Sequence, residues 1–190
     1  GTRVMHVQDE GIRMDASIES MTSLDPLQKG GVLSAANASQ ICDGAAAVMV
    51  VNGDTCKRLG LKPMAKIIAL SVIGSDPVIM LEGPIPATEK VLDRADMTID
   101  DIDLFEVNEA FGSVPLSWAK ATGADMSKLN VNGGAQALGH PLGGTGAKLM
   151  TTLVHEMERR GSRYGVQAIC EGGGTANATI IERMSVSAKL

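Results

Sequence analysis

The sequence predicts an α/β protein in which helices cover a mixed sheet. From residue 63 onward, β-branched segments of strand length alternate with helical segments, and glycines separate the last two strands. The clearest helix has apolar residues three and four positions apart. A chain that alternates strand and helix and closes on two adjacent strands is typical of a sheet with both parallel and antiparallel neighbours.

The first third of the chain is less regular. Residues 1–41 show weak periodicity, whereas residues 45–51 form a continuous apolar run of strand length. Such a run predicts a strand buried on both faces. A short helix is expected over 54–59, with Asp54 as its N-cap and Gly60 at its end.

The remaining elements follow in a regular order. The predicted helix over 145–160 places Met150, Leu153, Val154 and Met157 on one face, and Gly161 ends it. The other predictions are strands over 65–73, 102–107, 129–132, 165–170 and 176–183, a helix over 86–94, and a helix that ends near 123.

Composition excludes several classes of function. The 190 residues are 44% hydrophobic and 21% charged, as in soluble globular proteins. A formal charge of −5 and 2% aromatic residues disfavour a nucleic-acid-binding protein. No apolar run has the length of a membrane span, and no signal peptide is recognisable. Three widely spaced cysteines predict neither a disulfide framework nor a zinc site, so we expect a cytoplasmic location.

Three short motifs have the residue types of an active site. Asn108 opens the first (NEAF, 108–111), directly after a predicted strand, where its amide can donate into a crevice or cap a helix. His140 lies between Gly139 and Pro141 in a glycine-rich segment, 132–146, which would hold the imidazole rigidly. The alternative for His140 is an ordinary surface residue.

The third motif follows a later strand. Cys170 precedes three glycines at 172–174, so its thiol would lie beside exposed backbone N–H groups, which are the components of an oxyanion hole. The alternative is a buried structural cysteine before a hairpin turn.

Together the motifs NEAF, GGAxALGHPLGxxGA and CxGGG resemble the C-terminal active-site motifs of thiolases. The separations also match, since His140 follows Asn108 by 32 residues and Cys170 follows His140 by 30. Further similarity lies in 36–39, 43–47 and 83–87. The resemblance implies the C-terminal half of a five-layer α/β/α/β/α fold. Residues 1–41 would be the tail of a substrate-loop domain, 42–62 the last strand and helix of the N-terminal half, and 63–190 the C-terminal domain.

The resemblance also implies a reaction: reversible cleavage of a 3-ketoacyl-CoA by coenzyme A, or the reverse condensation. His140 would activate a nucleophilic cysteine, and Cys170 would be the second acid/base. Asn108 would hold a water of one oxyanion hole, and the Gly172 N–H would contribute to the other. Ser39 would contact the pantetheine arm of coenzyme A, which is a substrate, and neither a cofactor nor a metal is expected.

The nucleophilic cysteine of the family has no counterpart in the chain, because its motif would precede Gly1. Neither Cys42 nor Cys56 has that motif, so both are interpreted as structural thiols. We therefore expect this chain alone to be inactive and to require an N-terminal thiolase half, in a homodimer or homotetramer. Three alternatives stay open: a non-catalytic acyl-CoA- or lipid-binding module, a subunit piece of a β-oxidation complex, and an enzyme that uses a metal or a nucleotide.

Overall fold

A computed structural model describes residues 4–184, so residues 1–3 and 185–190 of the predicted first and last domains lie outside it. The described part contains six α-helices and four strands. In chain order they are α1 (Ile18–Thr22), α2 (Gly53–Leu59), β1 (Ala65–Gly74), α3 (Pro84–Ala95), β2 (Leu104–Val107), α4 (Ser113–Thr122), α5 (Ala135–Leu138), α6 (Thr145–Arg160), β3 (Tyr164–Glu171) and β4 (Thr175–Arg183).

The four strands form one mixed sheet in the order β1-β4-β3-β2. β2 and β3 are parallel, while β4 pairs antiparallel with both β3 and β1. Because a parallel pair needs a crossover, the chain passes through α4, α5 and α6 between β2 and β3. The prediction of a mixed sheet covered by helices is confirmed.

Helices pack on both faces of this sheet and so create two apolar clusters. On one face, α3 and α4 cover a core in which Trp118 packs edge-on against Phe105, with ring centroids 5.1 Å apart. The Trp118 indole N–H donates to the buried Thr88 hydroxyl over 2.8 Å. On the other face, Leu153 and Met157 of α6 form a smaller cluster with strand residues.

Local chemistry accounts for the helix boundaries. The bounds predicted for α6 are confirmed, and its end at Gly161 has a φ of 72°, which glycine adopts without steric cost. The cap predicted for α2 is wrong: Asn52, not Asp54, accepts from Thr55 N–H over 2.8 Å, so the cap lies two residues earlier and the helix begins at Gly53.

Two of the predicted strands are not formed. Residues 45–51 have no regular structure, and Val48, Met49, Val50 and Val51 are 44%, 76%, 69% and 38% exposed. A strand requires a hydrogen-bonded neighbour, and this segment has none within 4–184. Residues 129–132 contribute only an isolated bridge between Leu129 and Phe105. Asn130, with a φ of 46°, ends any extended run there.

Among residues 4–184, no helix combines the length and the apolar character that crossing a membrane would require.

Candidate active site

The first and third motifs meet at the ends of two parallel strands. Asn108 follows β2, and its backbone N–H donates to Ala168 O of β3 over 3.0 Å. Its side-chain Nδ2 lies 3.9 Å from the Cys170 sulfur, and both residues are buried, at 1% and 7% exposure. Neighbouring parallel strands end at the same edge, which brings these side chains together. Asn108 is therefore not a helix cap, since α4 begins only at Ser113.

The Asn108 amide has unused hydrogen-bonding capacity. Its Oδ1 is buried and has no hydrogen-bond partner among the described residues. Buried polar atoms are nearly always paired, so this atom marks a position for a donor such as a water molecule. Turning the amide by 180° would let Oδ1 accept from the Cys170 thiol and would aim Nδ2 at the same position. In either orientation one amide atom has no hydrogen-bond partner among the described residues.

The His140 imidazole is buried at the N-terminal end of α6. Its side chain is 9% exposed, and its Nδ1 lies 2.6 Å from the hydroxyl oxygen of Thr145, the first residue of that helix. Its backbone N–H donates to Gln40 O over 2.7 Å. Both the ring and the backbone are thus held, and the interpretation of His140 as an ordinary surface residue is wrong.

The residue before His140 must be glycine. Gly139 has φ 81° and ψ 165°, a region that essentially only glycine occupies. A Cβ there would lie 2.5 Å from the Cys42 sulfur. The Gly139 carbonyl accepts a hydrogen bond from Lys148 Nζ of α6. Gly139 therefore lets segment 40–42 pack directly against the histidine loop.

Ser39 lies in a segment that joins the motif loops. Its backbone N–H donates to Ala110 O over 3.0 Å. Two residues earlier, Asn37 O accepts from Gly112 N–H over 2.8 Å and from Gln136 Nε2 over 3.1 Å. Gln136 thus links the histidine loop to the Ser39 segment. The structure brings Ser39 beside the first motif.

Glu109 braces the loop that leads to His140. Its two carboxylate oxygens accept from Asn130 Nδ2 over 2.8 Å and from Gln136 N–H over 3.0 Å. A Cβ on Gly134 would lie 2.6 Å from the Glu109 carboxyl carbon, so a side chain there would displace this carboxylate.

Gly172 lies in the exposed turn between β3 and β4, and its N–H makes no hydrogen bond with any residue of 4–184. The next two glycines have φ values of 78° and 80°, which form the tight turn. Glu171 accepts hydrogen bonds from Thr175 Oγ1 (3.0 Å) and Asn177 Nδ2 (2.5 Å) across the hairpin. The turn thus presents a free N–H two residues after Cys170.

The surroundings shift the pKa values of two site residues. Burial raises the pKa of the Cys170 thiol, and the Asn108 hydrogen bond only partly opposes this. Burial, with a smaller contribution from the Lys148 charge, lowers the pKa of His140. At neutral pH the site therefore holds a protonated thiol and a neutral imidazole.

Sequence reasoning missed three polar residues: Thr145 and Lys148, which contact the histidine loop, and Glu106, whose pKa is affected by the Lys148 charge. Glu106 is 1% exposed, its Oε2 has no partner among the described residues, and burial together with the Glu109 charge raises its pKa to about 8. The sequence does contain a signal for Glu106, because it is the one charged residue in the otherwise apolar segment 104–107, and this pattern predicts a buried carboxyl group. Nothing in the sequence signals the contacts of Thr145 and Lys148, which depend on how the loop folds back.

An open groove of about 420 Å³ runs beside the histidine loop, between segments 42–46 and 141–144. Within residues 4–184 there is no group of three or more His, Cys, Asp or Glu side chains that could hold a metal ion.

Comparison with protein families gives two adjacent matches. Residues 61–183 match the thiolase C-terminal domain, and residues 1–54 match the thiolase N-terminal domain.

Individual relatives give the same result. The chain is 57% identical over 176 residues to a steroid 3-ketoacyl-CoA thiolase of Mycobacterium tuberculosis, covering 93% of the chain and 43% of that protein. It is 45% identical over 184 residues to an acetyl-CoA acetyltransferase of Cupriavidus necator, covering 96% of the chain and 47% of that protein. The chain thus spans less than half the length of these relatives.

Solved structures share the fold. Human mitochondrial 3-ketoacyl-CoA thiolase in complex with CoA superimposes with a TM-score of 0.90 at 44% identity, over 93% of this chain and 45% of that one. The acetyl-CoA acetyltransferase of Bacillus anthracis gives a TM-score of 0.91 at 40% identity, over 97% of this chain and 48% of that one.

Proposed function

This chain belongs to the thiolase family, and from that premise we propose that it forms the C-terminal half of an enzyme that exchanges acyl groups with coenzyme A. In the cleavage direction a 3-ketoacyl-CoA and coenzyme A give acetyl-CoA and an acyl-CoA two carbons shorter. The condensation of two acetyl-CoA molecules is the reverse. Residues 1–41 would belong to the substrate-loop domain, 42–62 to the N-terminal half and 63–190 to the C-terminal domain.

One observation supports this proposal above the others: contacts connect Asn108, Cys170, Ser39 and His140 to one another through short segments of the chain. Asn108 contacts Cys170, Ser39 bonds to the loop that follows Asn108, and Gln40 bonds to His140. A module that only bound an acyl chain would need neither a buried thiol nor a braced imidazole.

In the proposed mechanism His140 is the base. Its neutral imidazole takes the proton from a nucleophilic cysteine, which then attacks the 3-keto carbon. The bond between the α and β carbons breaks, and its electron pair stays on the acetyl-CoA fragment as an enolate. Cys170 gives its proton to that carbon, a role that suits a thiol whose pKa is raised by burial. The thiol of coenzyme A then attacks the acyl-enzyme and releases the shortened acyl-CoA.

Backbone and amide groups would stabilise the negative charge that develops on oxygen. The unpaired Asn108 amide atom would hold a water for one oxyanion hole, and the free Gly172 N–H would donate in the other. Ser39, in the segment beside the first motif, would contact the pantetheine arm of coenzyme A.

The nucleophilic cysteine would come from an N-terminal thiolase half, and the assembled enzyme would be a homodimer or homotetramer in the cytoplasm. On this proposal Cys42 and Cys56 are structural, and the chain by itself forms no acyl-enzyme.

The test is reconstitution. The chain would be expressed alone and together with the N-terminal half of the Mycobacterium tuberculosis relative, and CoA-dependent cleavage of acetoacetyl-CoA would be measured. We expect activity only from the pair, with an acetyl adduct on the N-terminal piece by intact mass. In the pair, His140→Asn and Cys170→Ala should each lower kcat by roughly 10²-fold or more, because a positioned acid or base contributes about 10²–10⁴-fold.

The result separates the alternatives. A pair that binds acyl-CoA with unchanged affinity in both variants, and never cleaves it, would support a binding module instead. An acetyl adduct formed catalytically on the isolated chain would refute the assignment of the nucleophile to the N-terminal half.

A further inference from the structure

Thr145 is the only described side chain that hydrogen-bonds to the His140 ring. Its hydroxyl oxygen lies 2.6 Å from His140 Nδ1 and 3.0 Å from Pro141 O, one helical turn back. A threonine at the start of a helix commonly bonds to the carbonyl four residues earlier. The two contacts together constrain where the protons lie.

A hydroxyl carries one proton, so Thr145 can donate to only one of these two neighbours. If it donated to Nδ1, its oxygen and the Pro141 oxygen would face each other at 3.0 Å without a proton between them. Both contacts are hydrogen bonds only when Nδ1 carries the ring proton and donates to Thr145, which in turn donates to Pro141 O. When the ring is neutral, that arrangement leaves Nε2 unprotonated and able to accept a proton.

The backbone around His140 is held independently of the ring. Lys148, one turn after Thr145 on α6, donates to Gly139 O, and the His140 N–H donates to Gln40 O over 2.7 Å. The ring position is thus already constrained by its own loop. The specific contribution of the Thr145 hydroxyl is therefore the choice between the two neutral forms of the imidazole.

We propose that Thr145 is a positioning residue that fixes His140 as the Nδ1–H tautomer and so leaves Nε2 free to act as the base. This rests on the proposed function only for its catalytic consequence; the tautomer itself is a property of the chain. An exposed neutral imidazole prefers the Nε2–H form, so without Thr145 the ring would present a donor where the reaction needs an acceptor.

The tautomer can be measured on the chain as it is. Nitrogen-15 NMR of the ring nitrogens distinguishes protonated from unprotonated Nδ1 and Nε2 at a pH where imidazole is neutral. The chain has only two other histidines, the exposed His6 and His155, which are assigned with His6→Gln and His155→Gln and serve as internal references. We expect the Nδ1–H form at His140 and the Nε2–H form at the other two.

Three variants test the role of the hydroxyl. Thr145→Ser keeps the acceptor and should keep the Nδ1–H form, whereas the nearly isosteric Thr145→Val and the smaller Thr145→Ala should shift His140 towards Nε2–H. In the reconstituted pair, Thr145→Val should lower kcat several-fold with little change in KM, in proportion to the loss of the Nδ1–H form, and Thr145→Ser should keep kcat close to that of the unaltered pair.

Two results would overturn the inference: a majority of Nε2–H at His140 in the unaltered chain, or an Nδ1–H majority that survives in Thr145→Val with an intact amide spectrum. Failure of the pair to cleave acetoacetyl-CoA, with the expected tautomers present, would count against the proposed function and not against this inference.

Discussion

At the scale of single residues, Glu106 is the least expected group in the fold. It occupies a fully buried position of β2 and faces the α6 side of the sheet, where Glu109 and Glu156 also carry negative charge and Lys148 carries positive charge. Burial is the largest cause of its raised pKa, about 8 against an ordinary value of 4.5. The carboxyl is therefore mostly protonated at neutral pH inside the protein and ionised when the chain unfolds.

This difference makes stability depend on pH. Between about pH 4.5 and pH 8 the folded chain binds more protons at Glu106 than the unfolded chain, so the free energy of unfolding falls as pH rises. Each unit of pKa difference corresponds to about 1.4 kcal/mol. We expect Glu106→Gln to gain stability relative to the unaltered chain as pH rises from 5 to 8, measured by urea unfolding. Glu89→Gln, at an exposed position of α3, should show no such trend, and equal trends in both variants would contradict the prediction.

Gly139 permits a test of backbone strain beside the histidine. Gly139→Ala should lower the free energy of unfolding by about 1–3 kcal/mol, because alanine rarely adopts this φ and ψ. Its Cβ would also overlap the Cys42 sulfur. Denaturant unfolding measures the loss. In a Cys42→Ala background the overlap disappears but the strain remains, so part of the loss should persist.

The matched control for Gly139 is Gly143, four residues along the same loop. A Cβ on Gly143 would meet nothing within 4 Å, and its φ is not positive. Gly143→Ala should therefore be close to neutral. A loss as large as that of Gly139→Ala would show that the loop as a whole, and not the Gly139 backbone, resists substitution.

At the scale of elements, β1 is the edge of the sheet that lies beside α3. The side chains of Arg94 and Lys90 on α3 reach over this edge and donate to Leu70 O (2.5 Å) and Val72 O (3.2 Å). Carbonyl groups on a free edge are ready to pair with another strand, and Leu70 and Val72 are themselves 53% and 60% exposed. The two basic side chains thus occupy carbonyl groups of the edge strand and disfavour its pairing with a strand of another molecule.

Removing these side chains should make the chain associate. We expect Lys90→Ala/Arg94→Ala to form oligomers at lower protein concentration than the unaltered chain, as measured by sedimentation velocity. The control is Lys57→Ala/Arg58→Ala on the exposed side of α2, which removes the same two charges. Because both changes make an acidic chain more acidic, charge repulsion alone would reduce association. Identical behaviour of the two variants would contradict the edge explanation.

At the scale of the whole molecule, segment 48–51 is a run of exposed apolar side chains that a neighbouring chain would cover if the proposed function is correct. Its four apolar side chains are exposed within the described residues, although their pattern is that of a buried strand. The family match over residues 1–54 includes this segment. We interpret it as the strand that the N-terminal thiolase half would complete.

Lysine substitutions in this segment should prevent assembly with the N-terminal half without preventing the chain from folding. Met49→Lys/Val50→Lys should lower the binding of a hydrophobic dye to the isolated chain and abolish reconstituted activity, because a lysine pair cannot be buried in a sheet without a large desolvation cost. Val78→Lys/Ile79→Lys, in the loop after β1 at positions 89% and 60% exposed, should lower dye binding equally and leave reconstitution intact. Full reconstitution by the first variant would refute the strand interpretation.

The positions of the three motif residues relative to strands and helices could be predicted from the amino-acid sequence. Asn108, His140 and Cys170 lie where the order of strands and glycine-rich loops predicted, at strand ends and beside α6. The hydrogen-bond partners that hold each side chain in place could not be predicted. Two examples are the cap of α2, which is Asn52 and not Asp54, and the partner of His140, which is Thr145. Both depend on the exact position of the backbone, which a local sequence pattern does not predict.

We could derive the alternating α/β order, the bounds of α6 and the three motifs from the amino-acid sequence, because helix periodicity, capping residues and glycine turns act over a few neighbouring residues. Long-range packing was needed to show that segment 45–51 is not a strand here, that Asn108 contacts Cys170, that Glu106 is buried, and that Thr145 bonds to His140. The physical reason is that a strand exists only when another strand pairs with it, and a buried polar group acquires its partners and its pKa only when distant segments close around it.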